Sequence, residues 1–215
     1  MKLHLDPKSS SCLRVISYAA FKGISYETAA VGTMKREHHS EAYLALNPAA
    51  CVPALELDDG TVLMQSLAII EWLEATHPLP AALPADELER AKVRGICGFI
   101  ASEIHPVTNM RVRNEIARMN ESDGDKGAAV AAAWCRLWTD EGVQALEGWL
   151  QRSAGAFSFG DAVGFADFFV APMMFNAERF GCDLGEAPTV RRVYASCLEH
   201  PAFAALTEIR RAAGY

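Results

Sequence analysis

The chain has 215 residues, 51% of them hydrophobic and 22% charged, with a formal net charge of −7. That length and balance suit a globular protein with a sizeable core, built as one large domain or two small ones. The acidic excess argues against a broad nucleic-acid surface, no apolar run approaches the ~20 residues of a membrane span, and the start lacks the basic-then-apolar pattern of a signal peptide, so a cytoplasmic protein is expected.

The first eighty residues alternate between short strands and helices. "KLHL" reads as a strand. "SSCLRVISYAAFKG" reads as a helix, with serines at its start to cap free N–H groups and Gly23 at its end. "YETAAV" is strand-like, and "EHHSEAYLAL" is a short helix closed by Asn47-Pro48. "CVPALEL" and "VLM" flank Asp58-Asp59-Gly60, a strong hairpin signal. "QSLAIIEWLEATH" has helical spacing, with Ser66 at the start. This order, βαβ, then a helix, then ββα, predicts a mixed sheet with helices on its faces.

Pro78, Pro80 and Pro84 break the pattern. They place a linker over 81–87, between a first domain at 1–80 and a second at 88–215. Beyond the linker nearly everything reads as helix. Residues 88–119 carry Val93, Ile96, Cys97, Ile100 and Ile104, and 126–152 carry Val130, Trp134, Leu137, Trp138 and Leu146. "GFADFFVAPMMFNAERFG" is apolar almost all round, as a buried central helix is. "TVRRVYASCLEH" and "PAFAALTEIRRA" complete a helical second half.

Several residues carry candidate chemistry. The cysteines at 12, 51, 97, 135, 182 and 197 form no C-x-x-C pair and no zinc pattern, so reduced thiols are expected. His105 has no second histidine at metal-ligand spacing, and the adjacent His38 and His39 should diverge, so no metal is expected. Pro53 in "CVPAL" marks either an edge strand or a cis-proline that exposes the Val52 backbone to an extended peptide. Ser66 can cap its helix, and the same helix start, with Gln65 beside it, can hold a ligand carboxylate. Pro106 should kink or interrupt its helix; the kink is either structural or aims Asn109 and Arg111 into an inter-domain cleft. In "GDAVGFADFFVAP" Gly164 reads as the N-cap and Asp167 as the third residue, bonded to the N–H groups of that helix start. Cys12 reads as a buried helix residue, and Arg14 as support for the serine loop.

Taken in order, "SSSCLRV", "LNP" with "VPAL", "QSLAIIEWLE", "IHPVTN" and "GD…AD…AP…NAERFGCDL" resemble the cytosolic glutathione transferases, specifically the zeta class, over nearly the whole chain. That class includes the maleylacetoacetate isomerases and the bacterial glutathione-dependent maleylpyruvate isomerases. The resemblance implies a thioredoxin-like first domain (βαβαββα), a helical-bundle second domain and a homodimer. It also implies a glutathione site on the first domain and a substrate site between the two, with no metal.

Carried over by position, Ser9 matches the serine against the glutathione sulfur. Ser10 and Ser11 continue that catalytic loop, and the family often has cysteine where Ser11 stands. Val52 and Pro53 match the pair whose backbone binds the cysteinyl part of glutathione. Gln65 and Ser66 match the γ-glutamyl anchor, and His38 the group reaching the glycyl end. His105 and Asn109 match helical-domain residues facing glutathione. Lys8, Arg111 and Arg179 are the cations aimed at substrate carboxylates.

The implied activity is cis–trans isomerisation of a maleyl-type diacid, maleylpyruvate or maleylacetoacetate, by reversible thiolate addition. Departures from the zeta pattern at Asp6-Pro7-Lys8, Ile16 and Met173-Met174-Phe175 touch the substrate side more than the glutathione side. They leave two alternatives open. One is a zeta-like transferase that conjugates or dehalogenates other electrophiles; the other is a glutathione-binding protein without turnover.

Overall fold

The computed structural model describes residues 1–120 and 126–215. These form two compact units: Met1–Ala82 together with Leu198–Tyr215, and Leu83–Cys197.

The first unit is built on a mixed four-stranded sheet in the order β2-β1-β3-β4. The strands are β1 (Lys2–Leu5), β2 (Glu27–Ala30), β3 (Ala54–Glu56) and β4 (Val62–Met64). β1 runs parallel to β2, with Lys2 opposite Glu27, and antiparallel to β3, with Leu3 opposite Leu55. The parallel pair needs a crossover, which helix α1 (Ser10–Lys22) provides. It ends at Gly23, whose φ of 65° places it in the left-handed region where glycine carries no Cβ penalty. β3 and β4 form the expected hairpin through Asp58-Asp59-Gly60; Gly60 has φ 84°, and the Leu57 N–H donates to the Thr61 carbonyl. Pro53 stands just before β3, which pairs on both sides. The edge-strand reading is therefore incorrect: Pro53 meets no ladder donor requirement because it precedes the strand. The Val52–Pro53 bond is cis.

Helix α3 (Ser66–Thr76) packs on α1. Leu3, Leu13, Val15, Tyr18, Ile69, Ile70 and Leu73 bury within 2% exposure and form the core of the unit. The short α2 (Glu41–Leu46) follows a one-turn 3-10 helix, Glu37–His39, and is capped by Ser40, whose hydroxyl accepts from the Tyr43 N–H. The C-terminal elements complete the unit: a 3-10 turn, Pro201–Phe203, and helix α10 (Ala204–Ala212) pack on α1.

The second unit is helical. Helix α4 (Glu87–Phe99) is capped by Asp86 and continues through a π turn, Ile100–Ile104, into α5 (His105–Thr108). The break expected at Pro106 falls instead at Asn109, whose backbone is extended (φ −71°, ψ 163°). Pro106 sits in the first turn of α5, directly after the widened π turn. A proline's ring and missing N–H disrupt an ordinary helical ladder, and such a turn absorbs the disruption. Helix α6 (Met110–Met119) then starts afresh and packs on α7 (Lys126–Leu150).

Helix α8 (Asp167–Phe180) is the buried one: Phe168, Phe169, Met174 and Phe175 are all within 1% exposure. Its first residue is Asp167 and its N-cap position is Ala166, so the start expected at Gly164 is displaced by two residues. Helix α9 (Pro188–Glu199) follows. Met173, Met174 and Phe175 lie in the packed interior at 3%, 0% and 1% exposure, so their departure from a more polar pattern is a matter of packing. No helix among the described residues is long and apolar enough to cross a membrane.

Candidate functional site

The turn between β1 and α1 is held from both sides. The Asp6 carboxylate is nearly buried and accepts from the Lys8 N–H at 2.9 Å, the Thr33 N–H at 3.0 Å and the Thr33 hydroxyl at 2.5 Å. Burial alone would raise its pKa; the Thr33 and Lys8 donors outweigh that and hold it below the usual aspartate range. The Asp6 carbonyl accepts from the Ser9 N–H at 3.0 Å. Asp6 thus ties the serine loop to the segment after β2, an anchor that sequence reasoning noticed only as a departure.

Ser9 occupies the N-cap position of α1 but makes no capping bond with its side chain. The expected serine cap is absent because the hydroxyl is engaged elsewhere. Ser9 Oγ lies 2.8 Å from Ser11 Oγ, and Ser11 Oγ donates to the Val52 carbonyl at 3.0 Å. The first-turn N–H groups of α1 have no acceptor within the helix and carry partial positive charge at this place. Ser9 and Ser11 are half-buried, whereas Ser10 is buried.

The loop before Val52 is fixed by two donors to one carbonyl. Tyr43 Oη and Asn47 Nδ2 both donate to the Cys51 carbonyl, at 2.6 and 2.8 Å. Asn47 is 1% exposed, and its Oδ1 accepts from the Ala49 N–H. The Asn-Pro in "LNP" was legible as a helix stop; this bracing of the loop before Val52 was not.

At the start of α3, Gln65 is the N-cap residue and has φ 69° and ψ 120°. A non-glycine residue in that region is strained by roughly 1–3 kcal/mol, a cost that clusters at ligand-binding sites. Ser66 is the first helical residue rather than the cap. Its buried hydroxyl accepts from Arg14 Nη1 at 3.3 Å. Arg14 is itself 2% exposed, so the supporting residue of the serine loop also reaches the far side of the site.

The remaining candidates are placed as follows. Lys8 is exposed on the turn before Ser9. His38 is buried, and its ring lies 4.3 Å from that of His39. The expected divergence of these two rings is incorrect: the side chains turn back toward each other and the rings meet at a tilt of 54°. Among the described residues no group of three or more His, Cys, Asp or Glu is placed to hold a metal ion.

In the second unit, His105 begins α5 and is half-buried. Asn109 caps α6, its Oδ1 accepting from the Val112 N–H at 3.2 Å. Arg111 is exposed in the first turn of α6. Arg179 is exposed in the last turn of α8, donating to Asn176 Oδ1 at 3.3 Å and lying 5.5 Å from the centre of the Phe175 ring.

Cys12 is fully buried, and burial pushes its thiol up to about 12, with smaller opposing effects from the Ser9 and Ser11 hydroxyls. It is no thiolate nucleophile at neutral pH.

Comparison with known proteins fits this geometry. Residues 8–76 match the family model described as the N-terminal domain of glutathione S-transferase. The chain is 38% identical over 205 residues to the maleylacetoacetate isomerase of Pseudomonas aeruginosa, covering 94% of this chain and 93% of that one. A holo structure of a maleylpyruvate isomerase, a bacterial glutathione S-transferase of the zeta class, superposes with a TM-score of 0.88 at 39% identity over 95% of each chain. A maleylacetoacetate isomerase from Methylobacterium extorquens AM1, with malonate and glutathione bound, superposes with a TM-score of 0.90 at 31% identity, over 98% of this chain and 97% of that one. The chain therefore belongs to the glutathione transferase family, within the zeta class and its isomerases.

Proposed function

We propose that the protein is a glutathione-dependent cis–trans isomerase of a maleyl-type diacid, maleylpyruvate or maleylacetoacetate. The observation that carries this reading is the convergence of Ser9, Ser11 and the Val52 carbonyl at the N-terminus of α1. Glutathione is the co-substrate. Its cysteinyl backbone pairs with Val52 beside Pro53, and its γ-glutamyl end meets Gln65 and Ser66. His38 reaches the glycyl end.

A free glutathione thiol is mostly protonated at neutral pH, like a cysteine of pKa ~8.5. The partial positive charge of the helix start and a donated Ser9 hydroxyl favour the thiolate. The thiolate adds to one carbon of the cis double bond, leaving a single bond and a carbanion conjugated with the neighbouring carbonyl. Rotation about that bond and expulsion of the thiolate restore the double bond as trans. No net proton is consumed, so no strong base is needed. Lys8, Arg111 and Arg179 are the cations offered to the substrate carboxylates. The free cysteines fit a cytoplasmic protein, and the class supports a homodimer.

A spectrophotometric assay with each diacid, with and without glutathione, tests the reading. Glutathione-dependent isomerisation is expected. No turnover of either diacid overturns it. Activity on haloacids or aryl halides alone would then assign a conjugating or dehalogenating transferase, and glutathione binding without any turnover a binding protein.

A further inference from the structure

The hydroxyl pair at the start of α1 has a direction, and the direction follows from counting protons. A serine hydroxyl has one proton to donate, and a backbone carbonyl has none. Ser11 Oγ lies 3.0 Å from the Val52 carbonyl, so the Ser11 proton is spent there. The 2.8 Å bond between Ser9 and Ser11 then has only one possible donor, which is Ser9. The chain runs from Ser9 through Ser11 to Val52. In this arrangement Ser9 turns its proton inward and leaves its lone pairs for the site. Yet stabilising a thiolate requires that proton to point outward.

We propose that Ser11 is a positioning residue that competes with the bound thiolate for the Ser9 proton. It holds Ser9 in place through the strand turn at Val52, and in doing so raises the pKa of the bound glutathione thiol above what Ser9 alone would set. This inference rests on the reading of Ser9 as the thiolate's partner. The other inward acceptor near both hydroxyls is the Cys12 thiol, and a thiol sulfur accepts too weakly to displace the Val52 carbonyl or the Ser11 oxygen. The titratable groups around the pair are Cys12, Asp6 and Lys8, and the substitutions below alter none of them.

The test is the pH titration of the ultraviolet thiolate band of glutathione bound to the wild type, Ser9→Ala, Ser11→Ala and the double variant. A neutral hydrogen bond's net worth translates into a shift of about half a unit to one unit. Ser11→Ala is expected to lower the bound thiol's pKa by that amount, and Ser9→Ala to raise it. The double variant is expected to match Ser9→Ala alone, because Ser11 acts through Ser9. Ser11→Gly, which also lacks the hydroxyl and adds no titratable group, is the second variant should Ser11→Ala fold poorly; it is expected to shift the pKa down in the same way.

A raised pKa in Ser11→Ala or Ser11→Gly overturns the proposal, as does an equal effect of Ser11→Ala with and without Ser9. Calorimetry separates the two levels of inference. If wild-type protein does not bind glutathione, the reading of the site falls and this inference with it. If it binds and the Ser11 variants shift nothing, only this inference falls.

Discussion

Arg14 Nη1 donates to the Ser66 hydroxyl over 3.3 Å, joining residues 52 positions apart and the starts of two helices. Both residues are within 5% exposure, so the bond is made in a medium where a charged donor is worth more than in water. Ser66 is proposed to hold the γ-glutamyl carboxylate of glutathione, and Arg14 fixes where its hydroxyl sits. Replacing Arg14 by Met keeps much of the stem and removes the donor. Glutathione affinity is expected to fall about tenfold, matching the ~1.4 kcal/mol of a charge-assisted bond. Titration calorimetry reads this directly, and an unchanged Kd would refute the coupling.

Glu74 makes the first unit acid-sensitive. Burial alone would raise its pKa; the Lys22 ammonium, the Tyr18 hydroxyl at 2.6 Å and the Ala82 N–H at 3.2 Å reverse that and hold it below the ordinary glutamate range. A carboxyl depressed in the folded state adds stability above its unfolded pKa of about 4.3 and loses it as pH falls through the lower folded value. Urea midpoints are expected to drop below about pH 4 for this reason. Glu74→Gln should start lower at neutral pH and show a flatter acid limb. An acid limb of unchanged slope would remove Glu74 from the account.

Asp167 holds the start of α8 by accepting from two backbone amides, Ser158 N–H at 2.9 Å and Gly164 N–H at 2.8 Å. Burial is the larger influence and raises its pKa despite those donors. Asp167→Asn turns one acceptor into a donor that faces an amide N–H. A buried unmet group of this kind costs about 1–3 kcal/mol, which at this chain length lowers Tm by roughly 2–4 °C per kcal/mol. Thermal unfolding followed by circular dichroism checks it; a Tm within a degree of wild type would mean the carboxylate is dispensable.

The cysteines should react in order of access. Cys51 is partly exposed, whereas Cys12, Cys97, Cys135 and Cys197 are buried. Native protein treated briefly with iodoacetamide at neutral pH is expected to carry label on Cys51 and none on Cys12, as mapped by peptide mass spectrometry. Prompt labelling of Cys12 would contradict its packing and its raised thiol pKa.

Much of the fold was legible because it is written locally. Gly23 and Asp58-Asp59-Gly60 stop and turn the chain by backbone preference, and the all-round apolar stretch of α8 announces burial. The serine loop, Val52, Gln65 and Ser66 were singled out through family likeness. What escaped was what depends on distant partners. Asp6 reaches Thr33 across 27 positions, Arg14 reaches Ser66 across 52, and neither bond has a periodicity that reveals it. The missing Ser9 cap has the same origin: local propensity favoured a helix cap, and a tertiary acceptor at Val52 organised the hydroxyls differently.

The C-terminal helix α10 packs on α1 and belongs to the unit that begins the chain. That placement has a consequence during synthesis. The ribosome delivers the sheet and its first helices early, and domains generally fold as they emerge. This unit, however, lacks Phe203 and Leu206 of its core until residues 198–215 leave the exit tunnel. The unit begun first thus waits on residues 198–215, and a nascent chain stalled before residue 198 would carry the sheet with one side of α1 still uncovered.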